Sequence, residues 1–280
     1  ARRLRVAGQT VWCRVCMTDT DRWSDLRTRI LSALILSAIG LAAIWAGGAV
    51  FVALVGLICG LIIWETSVMH QARYPVALGV TGSVLPALCT VRPVALIAPL
   101  ILGLGVVAAG QVSAHRARFC IMVCWVLIGA FSMLLMRIGV GMGWILWLIL
   151  LVIATDVAGY FAGRRLGGPK FWPAVSPKKT WSGTIAGWLA AALVGLAFMP
   201  VLDWNWTLVP ISVCVSFAGQ IGDIAESALK RQVGVKDSSG LIPGHGGVFD
   251  RFDAMLGGSA AAFAFKALGL LPGLTPGTGI

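Results

Sequence analysis

The sequence predicts an all-α, polytopic integral membrane protein with about nine transmembrane helices and a cytoplasmic N-terminus. Three observations lead to this fold class. Of the 280 residues, 58% are hydrophobic and only 12% are charged, whereas about a quarter of the residues of a soluble domain are charged. Uncharged apolar runs recur along almost the whole chain, and the basic residues lie mainly in alternate connections between these runs. This alternation is expected because Lys and Arg are retained on the cytoplasmic side of a membrane.

The apolar runs define the individual helices, since a bilayer-spanning helix needs roughly 20 predominantly apolar residues. The nine predicted spans are 30–46, 49–64, 75–91, 94–113, 119–136, 138–155, 183–202, 207–222 and 254–273. Gly47 and Gly48 separate the first two spans, and Gly139, Gly141 and Gly143 separate the fifth from the sixth. So many runs exclude a single anchor or a cleaved signal peptide.

Basic residues orient the predicted bundle and divide the chain into three parts. A basic tail at 1–29 is followed by a transmembrane scaffold at 30–155 and a catalytic region at 156–280, whose loops 156–182 and 223–253 face the cytoplasm. The net charge of +11 is therefore largely topological and does not indicate binding to nucleic acid. A basic inner face would attract anionic membrane lipids and nucleotides.

Acidic residues point to the functional half, because charge inside or beside a membrane helix is costly and is usually retained for function. Apart from Asp203 in an outer turn, the acidic residues of the C-terminal half are predicted to lie at the cytoplasmic face, namely Asp156, Asp223, Glu226, Asp237, Asp250 and Asp253. Glu65 is assigned to the flank of the second span. The first 150 residues are therefore expected to be scaffold.

The polar segment 223–253 concentrates carboxylates, cations and glycines. Its first part is predicted to continue the eighth span as a helix, with Asp223, Glu226, Ser227 and Lys230 on one face. Asp223, Asp250 and Asp253 are the predicted ligands of Mg²⁺, a hard ion that prefers carboxylate and phosphate oxygens. The catalytic set is completed by the cations Lys230, Lys236 and Arg251, which would neutralise phosphate charge. A local Asp250–Arg251 ion pair is the structural alternative.

Substrate contacts are predicted in both cytoplasmic loops. In the glycine-rich loop, which comprises Ser238 to Gly240 and Pro243 to Gly247, exposed amides suit phosphate oxygens, and His245 either contacts phosphate or braces the loop. The residues Ser176 to Thr180 are expected to start a helix that grips phosphate, although Lys178 and Lys179 are alternatively a positive-inside pair. The predicted substrate-binding residues are Asp156, Ser176, Lys178, Lys179, Ser227, Arg231, His245, Gly246 and Gly247.

These residues together resemble the signature of the phosphatidate cytidylyltransferases, also called CDP-diacylglycerol synthases. The signature is met at Ser227, Lys230, Arg231, Lys236, Asp237, Pro243 to Gly247, Asp250, Arg251 and Asp253. The Ser-Pro-Lys-Lys-Thr-Trp stretch at 176–181 and the region from Asp156 to Phe161 are also similar to elements of this family.

The resemblance implies that CTP and phosphatidate react to give CDP-diacylglycerol and pyrophosphate in phospholipid biosynthesis. It implies a multi-pass enzyme of the cell (inner) membrane that requires Mg²⁺, with an active site facing the cytoplasm. A second cation and a homodimer are left open. The alternative is a CTP-dependent enzyme acting on another lipid phosphate or lipid alcohol, such as a relative of CDP-archaeol synthase or of the lipid kinases.

Overall fold

The protein is described by a computed structural model that covers residues 3–6, 9–12, 19–90, 96–173 and 175–271. Within these ranges the chain forms nine α-helices, one π-helical segment and two short antiparallel hairpins. The helices are α1 Asp19–Ala46, α2 Gly48–Met69, α3 Pro75–Thr90, α4 Ile97–Gly110, α5 Arg116–Leu134, α6 Met142–Leu166, α7 Trp181–Phe198, α8 Leu208–Gln232 and α9 Phe249–Ala267. The π-helical segment is Leu135–Val140, and the strands are β1 Arg3–Val6, β2 Gln9–Trp12, β3 Lys170–Trp172 and β4 Ser176–Thr180.

Each of the nine predicted spans overlaps one of these helices, so the helical class is confirmed. In the part of the chain that the structure describes, five helices are long and apolar enough to cross a membrane, namely Gly48–Met69, Arg116–Val140, Met142–Leu166, Trp181–Phe198 and Leu208–Gln232. The first, third and fourth helices contribute shorter apolar stretches. Large apolar side chains such as Ile121, Leu189 and Leu193 are exposed on the outside of the bundle, as expected where lipid replaces water.

The junction between α1 and α2 shows how glycine and arginine end a helix in this fold. Gly47 has a φ of +64°, a conformation that glycine adopts without steric penalty. The Arg137 side chain reaches this turn, and its Nε donates a 2.7 Å hydrogen bond to the carbonyl oxygen of Ile44. The last turn of α1 thus gains a partner for one of the carbonyls that a helix end leaves unpaired.

Small residues allow α8 and α9 to pack closely at the polar end of the bundle. A Cβ atom on Gly222 would lie 2.6 Å from the carbonyl oxygen of Asp253, and a Cβ atom on Gly257 would approach the carbonyl oxygen of Ala218. Only glycine tolerates such an approach of two backbones. The close contact brings the first turns of α9 beside the last turns of α8.

Buried hydroxyl groups join α8 to α6. The indole nitrogen of Trp147 donates to the Ser212 hydroxyl at 3.0 Å, and the hydroxyl groups of Thr155 and Ser216 lie 2.8 Å apart. Interhelical hydrogen bonds of this kind stabilise helix pairs in an apolar environment. The helix that carries Asp156 is therefore fixed against the helix that carries Asp223.

The structure corrects one local prediction, because Ser176 to Thr180 form strand β4 and do not start a helix. Pro177 disfavours the helical conformation at the residue before it, and β4 pairs with β3. Helix α7 begins at Trp181, where the Thr180 hydroxyl accepts a 3.2 Å hydrogen bond from the backbone N–H of Gly183. The predicted Thr cap is thus present, at the end of an extended segment.

Candidate active site

Three carboxylates converge where the last turns of α8 meet the first turns of α9. Asp223, Glu226 and Asp253 each offer one oxygen, and these oxygens all lie within 4.8 Å of one another. Asp223 and Glu226 share one side of α8 because they are three residues apart. Asp253 joins them because Gly222 lets α9 approach α8 closely. We refer to these three residues as the carboxylate cluster.

The donor set of the carboxylate cluster fits a hard divalent cation. Carboxylate oxygens are the ligands that Mg²⁺ prefers, and Mg²⁺ is usually bound through one or two carboxylates together with substrate phosphates. Two of the three predicted ligands, Asp223 and Asp253, belong to the cluster. The third position is taken by Glu226, which the sequence analysis placed on the same helical face without assigning it a metal.

Asp250, the third predicted ligand, is directed into the glycine-rich loop. Its Oδ2 atom accepts hydrogen bonds from the backbone N–H of Ser238 at 3.0 Å, from the Ser238 hydroxyl at 2.9 Å and from the backbone N–H of Gly247 at 2.8 Å. Its Oδ1 atom lies 2.5 Å from Lys230 Nζ. Burial acts to raise the pKa of Asp250, but a side-chain hydrogen bond with Glu226, the Lys230 ammonium and the backbone N–H groups of Gly247 and Ser238 outweigh it and hold the pKa well below its usual range.

The Lys230 ammonium connects the carboxylate cluster with the loop anchored on Asp250. Its Nζ atom lies 2.6 Å from Glu226 Oε1 and 2.5 Å from Asp250 Oδ1, and the residue is only 9% exposed. A buried cation between two carboxylates is compensated locally. Lys230 therefore organises the acidic residues, whereas the sequence analysis expected it to meet substrate phosphate.

The second cytoplasmic loop reaches the cluster through Lys179. Its Nζ atom lies 2.6 Å from Asp223 Oδ2 and donates a 3.1 Å hydrogen bond to the carbonyl oxygen of Gln220. This contact joins the loop after α6 to the end of α8. The two polar segments that the sequence analysis singled out thus form one site.

A cavity of about 520 Å³ opens beside the Lys179–Asp223 pair. Charged side chains on its wall come from α6, α8 and β4, namely Asp156, Arg164, Lys178, Lys179 and Asp223. Arg164 is a functional candidate that the sequence analysis did not single out, and its guanidinium donates a 2.8 Å hydrogen bond to the Tyr160 hydroxyl. A wall with three cations suits a ligand that carries several phosphate groups.

A second and more apolar cavity, of about 1040 Å³, lies between α5, α8 and α9. Its wall includes Ile121, Trp125 and Phe249, while Arg118 and Arg231 lie at its polar end. Glu226 contributes both to this wall and to the carboxylate cluster. The apolar cavity therefore reaches the cluster from a different side of α8 than the polar cavity does.

Comparison with known proteins identifies the family. The model of the cytidylyltransferase family matches residues 27–268. The chain belongs to the cytidylyltransferase family. A phosphatidate cytidylyltransferase of Brucella suis biovar 1 (strain 1330) is 37% identical over 262 residues, which cover 88% of this chain and 94% of the relative. The protein of the same name from Staphylococcus saprophyticus is 39% identical over 161 residues, covering 56% of this chain and 62% of the relative.

The family resemblance inferred from the signature is thereby confirmed, and the match includes every predicted site residue. A phosphatidate cytidylyltransferase of Brucella abortus (strain 2308) is also similar, with 36% identity over 262 residues. The carboxylate cluster, Lys179 and the glycine-rich loop are therefore parts of a cytidylyltransferase.

The glycine-rich loop of this cytidylyltransferase is held by contacts with the neighbouring helices α1, α2 and α9. His245 Nδ1 lies 2.9 Å from the Ser32 hydroxyl of α1, and the His245 carbonyl oxygen accepts hydrogen bonds of 3.0 and 2.8 Å from Arg251. These contacts favour the bracing alternative for His245. Gly246 has a φ of +82°, and the backbone N–H of Gly247 donates to Asp250. The contact of this amide with substrate phosphate stays a prediction.

The remaining predicted residues lie around the carboxylate cluster, and their side chains are exposed or half-buried. Lys236 and Arg231 are exposed, and Arg231 makes a 3.4 Å contact with the carbonyl oxygen of Val235. Ser227 is half-buried, and its hydroxyl lies 3.5 Å from Asp223 Oδ1. Ser176 lies in β4. The structure brings these residues to the same end of the bundle without placing them in the carboxylate cluster.

Glu65 is the principal site residue that the sequence analysis missed. It belongs to α2, within the expected scaffold, and is completely buried. Its carboxylate contacts the loop and the start of α9, including the Ser238 and Ser239 hydroxyls at 3.2 and 2.5 Å. The available signal was a carboxylate near the end of an apolar span, a position at which charge is costly.

Proposed function

We propose that this chain transfers the cytidylyl group of CTP to phosphatidate and releases CDP-diacylglycerol and pyrophosphate. The observation that carries this proposal is the joining of the two polar loops by Lys179 and Asp223, directly beside the carboxylate cluster. Relatives that cover most of the chain bear the name phosphatidate cytidylyltransferase. The site combines the acidic and basic groups that nucleotidyl transfer requires.

The proposed reaction needs alignment and charge neutralisation more than it needs a base. A phosphate monoester has a second pKa of about 6, so the phosphatidate phosphate is largely a dianion at neutral pH. One of its oxygens attacks the α-phosphorus of CTP and forms the new P–O–P bond, while the bond to the β-phosphate breaks and pyrophosphate leaves. The protein must hold two anions together and in line.

The polar cavity is the proposed CTP site. Arg164, Lys178 and Lys179 would contact the triphosphate, because their positive charges offset the repulsion between nucleotide and lipid phosphate. Lys179 would also position Asp223, with which it pairs at 2.6 Å. Loss of Lys179 should therefore weaken the use of CTP and disturb the carboxylate cluster at the same time.

Mg²⁺ is the proposed cofactor, and Asp223, Glu226 and Asp253 are the residues that would hold it. The fit rests on their three oxygens within 4.8 Å of one another. When bound, the ion would neutralise phosphate charge during the transfer. The Lys230 ammonium, 2.6 Å from Glu226, orients the carboxylate of that residue.

The apolar cavity is the proposed place for the acyl chains of phosphatidate. Its apolar wall lies between membrane helices, and its polar end carries Arg118 and Arg231, which suit an anionic headgroup. Arg118 donates a 2.9 Å hydrogen bond to the side chain of Gln232, so the start of α5 and the end of α8 lie at the same end of the bundle. This placement requires an even number of crossings from α5 to α8, as in the proposed topology of nine membrane-spanning helices with a cytoplasmic N-terminus and active site.

The activity is tested by incubating the purified protein with labelled CTP and phosphatidate, with and without Mg²⁺, and identifying the products. We expect labelled CDP-diacylglycerol and an equal amount of pyrophosphate only when Mg²⁺ is present. Parallel reactions contain diacylglycerol or an archaeal ether-lipid phosphate in place of phosphatidate. Faster turnover of either replacement would overturn the proposed substrate, and release of a nucleoside diphosphate would indicate a kinase.

The role of Lys179 is tested by Lys179→Ala with Lys170→Ala as its matched control. Lys170 is an exposed lysine of β3 in the same hairpin, so its replacement removes an equal charge without removing the contact with Asp223. We expect Lys179→Ala to raise the KM for CTP and to lower kcat, and Lys170→Ala to resemble the wild type. Equal kinetics for the two variants would show that Lys179 serves only to retain its loop on the cytoplasmic side.

A further inference from the structure

Glu65 is a carboxylate in the buried interior of an apolar helix, a position that requires hydrogen-bonding partners. It belongs to α2 and is 0% exposed. A carboxylate buried in this way is strongly destabilising unless hydrogen bonds or charges compensate it. Its described partners lie about 170 residues later in the chain, in the loop and helix that carry the predicted catalytic residues.

Four donors surround the Glu65 carboxylate and compensate its burial. Oε1 accepts from the Ser239 hydroxyl at 2.5 Å and from the backbone N–H of Val248 at 2.8 Å. Oε2 accepts from the backbone N–H of Phe249 at 2.8 Å and lies 3.2 Å from the Ser238 hydroxyl, whose single proton it shares with Asp250 Oδ2. Both oxygens of Glu65 therefore face donors, an arrangement that no neutral side chain of this size satisfies.

Two of these bonds place Glu65 at the N-terminus of α9. The N-cap residue of α9 is Val248, which makes no side-chain capping hydrogen bond. The first N–H groups of a helix lack partners within the helix and carry partial positive charge, so a carboxylate stabilises them. Glu65 thus caps α9 from a different helix and fixes where α9 begins.

The position of this cap matters for the site because the first turns of α9 carry Asp250, Arg251 and Asp253. The Ser238 hydroxyl contacts Glu65 Oε2 and also lies 2.9 Å from Asp250 Oδ2. The loop is therefore held between two carboxylates, one from α2 and one from α9. A shift of the α9 start would move Asp253 relative to the rest of the carboxylate cluster.

We propose that Glu65 is a positioning residue of the cytidylyl transfer, which sets the register of the loop and of α9 without touching substrate. The expected effect of Glu65 on kcat rests on the proposed function. Its expected effect on the structure of the loop and of α9 rests on the contacts alone. It assigns a part of the active-site geometry to the N-terminal half of the chain, which the sequence analysis regarded as scaffold.

The first test compares Glu65→Gln with the control Ser67→Ala by hydrogen–deuterium exchange in detergent. The amide keeps the shape of the side chain but turns an NH₂ group towards donors that need an acceptor. Ser67 is buried in the same helix, and its hydroxyl donates to the carbonyl oxygen of Ile63, so it controls for a general loosening of α2. We expect faster exchange in residues 238–250 of Glu65→Gln only. Unchanged exchange there would overturn the proposal, whatever the activity of the protein.

The second test is kinetic and uses the same two variants. Because displacement of reacting groups by about 1 Å lowers rates by roughly 100-fold, we expect kcat of Glu65→Gln to fall at least about tenfold while the KM for CTP stays within about twofold. Ser67→Ala should keep the wild-type kcat. Equal kcat values for the two variants would overturn the positioning role, whereas a wild-type protein without CDP-lipid formation would overturn the proposed function instead.

A milder variant keeps the proposal testable if Glu65→Gln does not fold. Ser239→Ala removes one of the four donors and leaves both backbone contacts to α9 in place. We expect a several-fold fall in kcat together with faster exchange around residue 239. A wild-type kcat and unchanged exchange in this variant would count against the proposal.

Discussion

Replacing Asp250 by Asn separates the two roles that sequence and structure give to this residue. As a metal ligand it would be needed for activity but not for folding. In the structure its side chain is 7% exposed and lies 2.5 Å from Lys230 Nζ, while three donors from Ser238 and Gly247 contact its Oδ2 atom. The contacts therefore predict a loss of stability.

The size of the loss follows from the contacts that Asn cannot keep. The amide has one acceptor oxygen, so either the ammonium or the loop donors would face its NH₂ group. Removing one partner of a buried ion pair costs about 3–5 kcal/mol, and a hydrogen bond to a charged group contributes about 1.5–3 kcal/mol. We expect Asp250→Asn to lower the free energy of unfolding by about 3–5 kcal/mol.

This loss is measured by titrating the protein in detergent with a denaturant at constant lipid content and monitoring its unfolding. Asp237→Asn is the matched control, because it makes the same substitution at an exposed position of the same loop and should change stability by less than about 0.5 kcal/mol. If Asp250→Asn were as stable as Asp237→Asn but inactive, the structural reasoning would be refuted and the metal assignment supported.

Three further outcomes are expected from the described contacts. Asp223→Asn should lower kcat about 100-fold or more with wild-type thermal unfolding, and near-normal turnover would exclude Asp223 from the site. Gly247→Ala should lower the free energy of unfolding by about 1–3 kcal/mol, because the new Cβ would overlap the Ser238 hydroxyl; a stable variant would show that the loop rearranges freely. Arg137→Ala removes the 2.7 Å hydrogen bond to the carbonyl oxygen of Ile44 and should lower the free energy of unfolding by about 1.5 kcal/mol without changing kcat. A fall in kcat with an unchanged free energy of unfolding would contradict this expectation.

The helices were predictable because each apolar run has to satisfy its backbone hydrogen bonds internally. Gly47 and Gly141 mark real helix ends, with φ angles of +64° and +121°. The extended segment at Ser176 to Thr180 was not predicted, since capping residues and lysines there are compatible with a helix start. The hairpin partner β3 decides the conformation, and pairing between strands does not appear in a local pattern.

The residues that meet in the candidate site were predictable in type, but the direction of each side chain was not. Asp250 and Asp253 are three residues apart and were expected to act together, yet the former turns to the loop and the latter to α8. Glu226 takes the place of Asp250 in the carboxylate cluster, because Asp250 is held by Ser238 and Gly247 of the loop. Glu65 required knowledge that the end of α2 contacts the start of α9, which only the packed structure provides.

The long separation between Glu65 and its partners has a consequence for how the protein is made. Ser238 follows Glu65 by 173 residues, and chains are synthesised at about 5–20 residues per second. Glu65 is therefore synthesised about 9 to 35 seconds before the first of its four donors. During this interval the carboxylate lacks these donors, a condition that favours its neutral, protonated form. A chain interrupted before its last helix would leave the Glu65 carboxylate without the backbone N–H of Phe249 and without the helix end that it caps.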